Sequence, residues 1–156
     1  MKSIKQGISL ILPDSILYFM SWQDLDLRGT GSKSVEIDAL KKITKYDTCD
    51  IDHKVVKMFW QVFETLTNEE RSQYLKFVWG RSRLPMNLDS LSRQHCIEYF
   101  KGRPKDSLPI SHTCFFRVDL PDYSSIEILK QRLLYAIQYC GDIDADRGAH
   151  DIAAEE

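Results

Sequence analysis

The chain has 156 residues, enough to bury the core of one main domain with a smaller piece beside it, and its 43% hydrophobic and 28% charged residues are those of an ordinary globular protein. A net charge of -2 gives no global drive towards nucleic acid, and no apolar run approaches the ~20 residues of a membrane-spanning helix. No signal-peptide order of charged, apolar and small residues stands at the N-terminus, and the four cysteines (Cys49, Cys96, Cys114, Cys140) form no C-x-x-C pair, so a reducing, cytoplasmic or nuclear setting is expected.

The first thirty residues read as two or three short helices. Ile8, Leu10, Ile11 and Leu12 precede Pro13 at a helix-start position, Ile16, Leu17, Phe19 and Met20 recur at helical spacing, and Ser21-Trp22-Gln23-Asp24 has the form of a capping box. Gly29-Thr30-Gly31-Ser32-Lys33 then has the composition of a hinge, and a boundary is placed there. Ser34 is expected to cap a short helix carrying Val35, Ile37 or Ala39, and Leu40. Asp52 opens a strongly amphipathic helix with Val55, Val56, Phe59, Trp60, Phe63 and Leu66 on one face, an aromatic stripe read as core. Thr67-Asn68-Glu69-Glu70 is a second capping box, starting a helix through Tyr74, Leu75, Phe77 and Val78 that Gly80 can end.

After Gly80 the period changes. Residues 81–92 read as loop, Cys96 to Phe100 as a strand, 102–110 as loop, and Cys114 to Leu120 as a second strand. Pro121 to Ser125 cap the last helix, whose apolar face is Ile126, Leu129, Leu133, Leu134 and Ile137 before Gly141. Residues 142–156 hold Asp142, Asp144, Asp146, Asp151, Glu155 and Glu156 against Arg147, an acidic segment expected to be solvated and disordered. This order predicts a small α+β domain, a small mixed sheet flanked by helices and preceded by the short N-terminal helices.

The most informative stretch is Leu108 to Phe116, where a loop turns into a strand and carries Cys114. A free cysteine is more often a small buried hydrophobe than a nucleophile. Here Pro109 keeps the preceding segment out of a central strand, and His112 and Thr113 put a cation-capable ring and polar groups beside the sulfur, which makes Cys114 a candidate nucleophile. Neither Cys49 with His53 nor His95 with Cys96 has the paired spacing of a zinc module, so no metal site and no cofactor are expected.

Phe77-Val78-Trp79-Gly80-Arg81-Ser82-Arg83-Leu84-Pro85, Leu108-Pro109, His112-Thr113-Cys114-Phe115, and Asp119-Leu120-Pro121 with Tyr123-Ser124-Ser125, in that order and at those separations, resemble the C-terminal part of a HECT-type E3 ubiquitin-protein ligase. Leu12-Pro13, Thr44-Lys45-Tyr46 and Phe59-Trp60 extend the resemblance, which runs from about residue 8 to about residue 141. Trp79-Gly80-Arg81 and Cys114-Phe115-Phe116 are similar to the branch of large ligases with RCC1-like repeats.

The resemblance implies residues 1–30 as the last helices of an N-lobe, 31–33 as the inter-lobe hinge, 34–145 as the catalytic C-lobe, and 146–156 as an acidic tail without the aromatic residue many relatives carry near their end. It also implies a fragment that reacts poorly alone, because the lobe that docks the conjugating enzyme is absent, and whose residues 1–30 promote self-association. Cys114 would accept ubiquitin as a thioester from a conjugating enzyme and pass it to a substrate lysine. His112 would assist the thiol or simply order the loop, and Thr113 would fix the loop. Asp119 would assist the transfer of ubiquitin, or be an ion-paired or solvated strand residue. Arg83, Leu84 and Phe115 would contact the ubiquitin tail, Arg83 alternatively anchoring its own loop. The partners implied are ubiquitin, a ubiquitin-conjugating enzyme and protein substrates, with neither nucleic acid nor membrane. The alternatives are a non-catalytic ubiquitin-binding or scaffold module and, more remotely, a cysteine hydrolase using His53, His95 or His150 as base.

Overall fold

Four strands form one mixed sheet in the computed structural model, which describes residues 14–139 together with Gly7 and Ser9. They are β1 (Thr44–Asp47), β2 (His95–Tyr99), β3 (Ile110–His112) and β4 (Arg117–Leu120), in the order β1-β2-β4-β3. The pairs β1/β2 and β2/β4 are parallel, and β3 runs antiparallel along the outer edge of β4. The helices are α1 (Asp14–Tyr18), α2 (Trp22–Thr30), α3 (Ile37–Lys42), α4 (Lys54–Thr65), α5 (Asn68–Trp79) and α6 (Ile126–Tyr139). The architecture is thus the small mixed sheet with flanking helices that the sequence predicts.

Strand alternation sorts the sheet into two unlike faces. On one, His95 and Ile97 of β2 lie beside Phe116, Val118 and Leu120, all buried. The register puts Cys96 opposite Arg117 and Glu98 opposite Asp119, with Ile110 and His112 of β3 paired to Asp119 and Arg117, so the other face carries the charge. In the core, α4 supplies Val55, Val56, Phe59, Trp60, Val62 and Phe63, and Phe59, Phe63 and Tyr74 meet ring on ring at 5.1–5.6 Å between centroids. The aromatic stripe is core, as its spacing predicts, and each such ring contributes about 1.5–3 kcal/mol by leaving water. From α6, Leu129, Leu133, Ala136 and Ile137 are buried, while Leu134 is half-buried and Ile126 exposed.

Both capping boxes form. The Ser21 and Thr67 side chains accept from the backbone N–H groups of Asp24 and Glu70, whose carboxylates accept from the cap backbone in return. Gly80 ends α5 in the left-handed region at φ 75°, as its position suggests. Three local expectations need correction. Ser34 does not cap α3: its hydroxyl donates to the Glu36 carboxylate, and Glu36 stands at the cap position without a side-chain bond. Asp52 does not open α4 either, because it pairs with Lys57 at 2.9 Å while His53 Nδ1 accepts from Val55 N at the cap. Residues 114–120 are not one strand: Thr113–Phe115 form a 3-10 turn, Phe116 adopts φ 52° and ψ 47°, and only then does β4 begin. β1 and β3 are strands that the periodicity does not announce.

The segment read as a hinge is ordered by close contacts. Gly31 N donates to Leu27 O at 3.0 Å and Ser32 N to Leu84 O at 3.2 Å. Gly31 has φ 91° and ψ -176°, a region open essentially to glycine alone, and a Cβ there would stand 2.0 Å from Leu84 O. Ahead of it, α2 buries no residue, and Ile16, Tyr18, Phe19, Trp22, Leu25 and Leu27 are all exposed. The start of α1 at Pro13, the apolar residues before it, Cys140, Gly141 and the acidic segment lie outside the described residues.

Candidate active site

Cys114 stands in the 3-10 turn between β3 and β4 and is exposed, whereas Cys49 and Cys96, the other described cysteines, are half-buried. Burial raises the thiol pKa of both, which keeps them protonated and poorly nucleophilic at neutral pH. Among the described cysteines, then, the reachable sulfur is the one the sequence singles out.

The turn is held at both ends. Phe116 N donates to Thr113 O at 3.3 Å, so Thr113 orders the loop through its backbone, and Cys96 N donates to Phe116 O at 2.9 Å. Upstream, His112 Nε2 lies 2.9 Å from Asp119 Oδ2. A carboxylate only accepts, so this contact places the proton on Nε2 and leaves Nδ1 as the nitrogen able to accept one. No hydrogen bond joins Cys114 to His112, and the turn interrupts the extended geometry that two residues on one strand face would require. His112 and Asp119, read separately in the sequence, are therefore one unit.

Asp119 is 7% exposed, and its cross-strand neighbour in β2 is another carboxylate, Glu98. Like charges side by side in a sheet repel. Arg117 offsets this, with Nη1 2.6 Å from Glu98 Oε2 and Nε 3.1 Å from Asp119 Oδ1. Both contacts are ones of charge, since Glu98 Oε2, Arg117 Nε and Asp119 Oδ1 all lack a hydrogen-bond partner. The result is a half-buried row, Glu98, Arg117, Asp119, His112, on the charged face of the sheet beside the Cys114 turn.

Phe115 follows the thiol and is 58% exposed, with Arg93 Cζ 5.0 Å from its ring centroid. It borders a cleft of about 630 Å³ with Lys42, Lys45, Leu91 and Arg93, at the edge of the sheet where the parallel strands begin. Arg83 and Leu84 are placed elsewhere. Arg83 Nη1 donates to Asp26 Oδ2 and Thr30 Oγ1 of α2, and Leu84 is 4% exposed within the core. Leu84 is thus packed inward in this structure, and one nitrogen of the Arg83 fork, Nη1, is engaged by α2.

The remaining described histidines serve structure. His53 caps α4 and packs on Tyr99 at 4.4 Å. His95 is fully buried, its Nδ1 and Nε2 each 2.8 Å from Thr44 Oγ1 and Tyr74 Oη, and burial pushes its pKa down to about 3. Neither is placed as the base a hydrolase would need, and His150 lies outside the described residues. No group of three or more His, Cys, Asp or Glu among the described residues could hold a metal ion.

Trp79 and Phe116 are functional candidates that sequence reasoning misses: their rings stack at 4.6 Å and 11° directly behind the turn. The signal available is the Trp79-Gly80-Arg81 motif, which by itself marks only family likeness.

Comparison with known proteins matches residues 1–144 to the family described as HECT-domain (ubiquitin-transferase). The chain is 36% identical over 147 residues to the E3 ubiquitin-protein ligase HERC2 of Mus musculus, covering 92% of this chain and 3% of that protein. It is 32% identical over 142 residues to the E3 ubiquitin-protein ligase HUWE1 of Mus musculus, 88% of this chain and 3% of that protein. To the E3 ubiquitin-protein ligase pub3 of Schizosaccharomyces pombe it is 34% identical over 135 residues, 84% of this chain and 17% of that protein.

Proposed function

The chain belongs to the HECT-domain ubiquitin-transferase family, and from that premise we propose that Cys114 is the residue that carries ubiquitin. The observation that supports this most is the exposure of Cys114 on a turn anchored at both ends, while burial keeps the thiols of Cys49 and Cys96 protonated.

The reaction has two acyl transfers. The Cys114 thiolate attacks the thioester carbonyl joining ubiquitin to a conjugating enzyme; the new C–S bond forms and the conjugating enzyme's thiolate leaves. A neutral substrate lysine amine then attacks the Cys114 thioester, an amide forms, the Cys114 thiolate leaves, and the extra proton on nitrogen must be removed. Thiols of similar basicity exchange the acyl group with little loss of free energy, which is why sulfur suits the intermediate.

Asp119, fixed by His112 and Arg117, supplies negative charge beside the turn, which attracts the incoming ammonium and can take its proton. His112 then acts by orienting Asp119. Phe115 offers an exposed apolar surface to the ubiquitin tail. The exposed apolar side chains of Ile16, Tyr18, Phe19 and Trp22 in this reading seat another lobe or a second copy of the chain. A reducing cytosolic or nuclear compartment would keep the thiol free.

The test is incubation of the chain with activating enzyme, charged conjugating enzyme and ubiquitin. A weak thiol-reducible ubiquitin adduct, in keeping with the poor reactivity expected of this piece alone, and absent from Cys114→Ala, is expected; an adduct persisting in that variant would sink the assignment. Size measurement before and after deletion of residues 1–30 tests self-association, and a monomer in both cases excludes it.

A further inference from the structure

We propose that Trp79 and Phe116 are positioning residues for Cys114: their stacked rings hold Phe116 in a left-handed backbone conformation that turns the thiol outward. The proposal rests on the reading of Cys114 as the ubiquitin acceptor.

Along β4, Val118 and Leu120 point into the core, and Phe116 before them is likewise 0% exposed. Were β4 extended upstream without a break, its period of two would put Cys114 on that same covered face. The thiol would then be directed at the helices rather than at solvent. What prevents this is the backbone of Phe116 at φ 52° and ψ 47°, which ends the alternation and opens the 3-10 turn. Bulky residues rarely adopt that conformation, and they persist in it only where the surroundings over-determine it.

The surroundings here are specific. The Phe116 ring lies 4.6 Å from Trp79 at an interplanar angle of 11°, and 5.1 Å from His95. His95 cannot rotate freely, since Thr44 and Tyr74 engage its two nitrogens at 2.8 Å each. Arg81 Cζ stands 4.9 Å from the Trp79 ring centroid, adding a cation to the assembly from the loop after α5. The backbone bonds of Phe116 to Thr113 and Cys96 complete the pin. α5 thus reaches the thiol through one ring pair. The Trp79-Gly80-Arg81 motif thereby acquires a physical role, in which Gly80 ends the helix so that Trp79 faces the turn and Arg81 can fold over it.

The experiment compares Trp79→Leu, which keeps an apolar side chain but loses the stacking plane, with Trp79→Phe, which keeps a ring. Val62→Ala, in α4 and so on neither the turn nor the helix that carries Trp79, serves as a core control. Three quantities are read on the full chain: acylation of Cys114 by a small-molecule thioester of ubiquitin, alkylation of Cys114 by iodoacetamide, and hydrogen exchange of the Phe116 amide. Trp79→Leu should slow acylation about 10-fold or more and alter alkylation and exchange, because a small misplacement of a reacting group is costly in rate. Trp79→Phe should stay near the unmodified chain, and Val62→Ala should keep its acylation rate despite a lower melting temperature. Unchanged acylation and exchange in Trp79→Leu, or an equal loss in Val62→Ala, would overturn the proposal. Failure of the unmodified chain to be acylated would count against Cys114 as acceptor, while alkylation and exchange would still judge the stack.

Discussion

Arg83 and Asp26 form an ion pair, Nη1 to Oδ2 at 2.9 Å, that ties the loop after α5 to α2 across 57 positions of sequence. Hydrogen bonds from Arg83 and then Thr30 lower the Asp26 carboxyl pKa from its ordinary value. A depressed carboxylate adds stability above its unfolded pKa, about 4, and that contribution is lost as pH falls through the lower folded value. An NMR titration of the Asp26 side-chain carbon should therefore show a midpoint below that of an unstructured aspartate, returning towards it in Arg83→Ala. An equal midpoint in both chains would mean that the pair does not hold α2 in solution.

The three described thiols should separate by reactivity. Burial raises the pKa values of Cys49 and Cys96, whereas Cys114 is exposed. At pH 7.5, iodoacetamide followed by peptide mapping should label Cys114 about 10-fold or more ahead of the other two, since only thiolate reacts. Comparable labelling of all three in the folded chain would contradict the burial that distinguishes them.

Arg83 and Cys114 mark where the sequence is readable and where it is not. Local signals carry through: Thr67 and Glu70 form their box, Gly80 ends α5, and the Phe59 and Phe63 stripe is core. Each depends on residues within one or two turns of each other. β1 escapes notice because Thr44–Asp47 alternates only between half-buried and exposed, and is a strand through parallel pairing with β2, some fifty residues on. At the site, Cys114 is readable as a reachable thiol. The joining of His112 to Asp119 is not, because it depends on the register of an edge strand of three residues. Nor is the conformation of Phe116, where a large aromatic occupies a backbone region better suited to glycine or asparagine. Arg83 and Leu84 lie within a motif shared with the family, and a motif says which residues occur together without saying which way they face.

His95 gives a pH prediction of definite sign. Its folded pKa is pushed down to about 3 by burial, so between that value and the unfolded ~6.5 the unfolded chain binds a proton that the folded chain does not. Stability should fall as pH drops below about 6.5, with a contribution from this group of up to ~1.4 kcal/mol per pH unit. Urea midpoints measured between pH 7 and pH 5 in the native chain and in His95→Gln isolate it: the variant, less stable at pH 7, should show the shallower decline. Parallel declines would show that His95 is not the group responsible.

The unit of His112 and Asp119 separates the two halves of the proposed reaction. Asp119→Asn preserves an oxygen that can accept from His112 Nε2 and keeps nearly the same volume, but removes the charge that faces an incoming ammonium. Loading of Cys114 draws on the thiol and not on this carboxylate, so it should stay close to that of the unmodified chain. Transfer to a lysine should slow roughly 10–100-fold, the range of a lost proton acceptor. The deficit should shrink as pH rises towards the lysine pKa of ~10.4, where the amine is already neutral without help. Hydroxylamine, uncharged at pH 7, should discharge the Cys114 thioester equally well from both chains. If Asp119→Asn instead slowed discharge to hydroxylamine and to lysine alike, Asp119 would be shaping the turn through His112 and Arg117 rather than handling the proton.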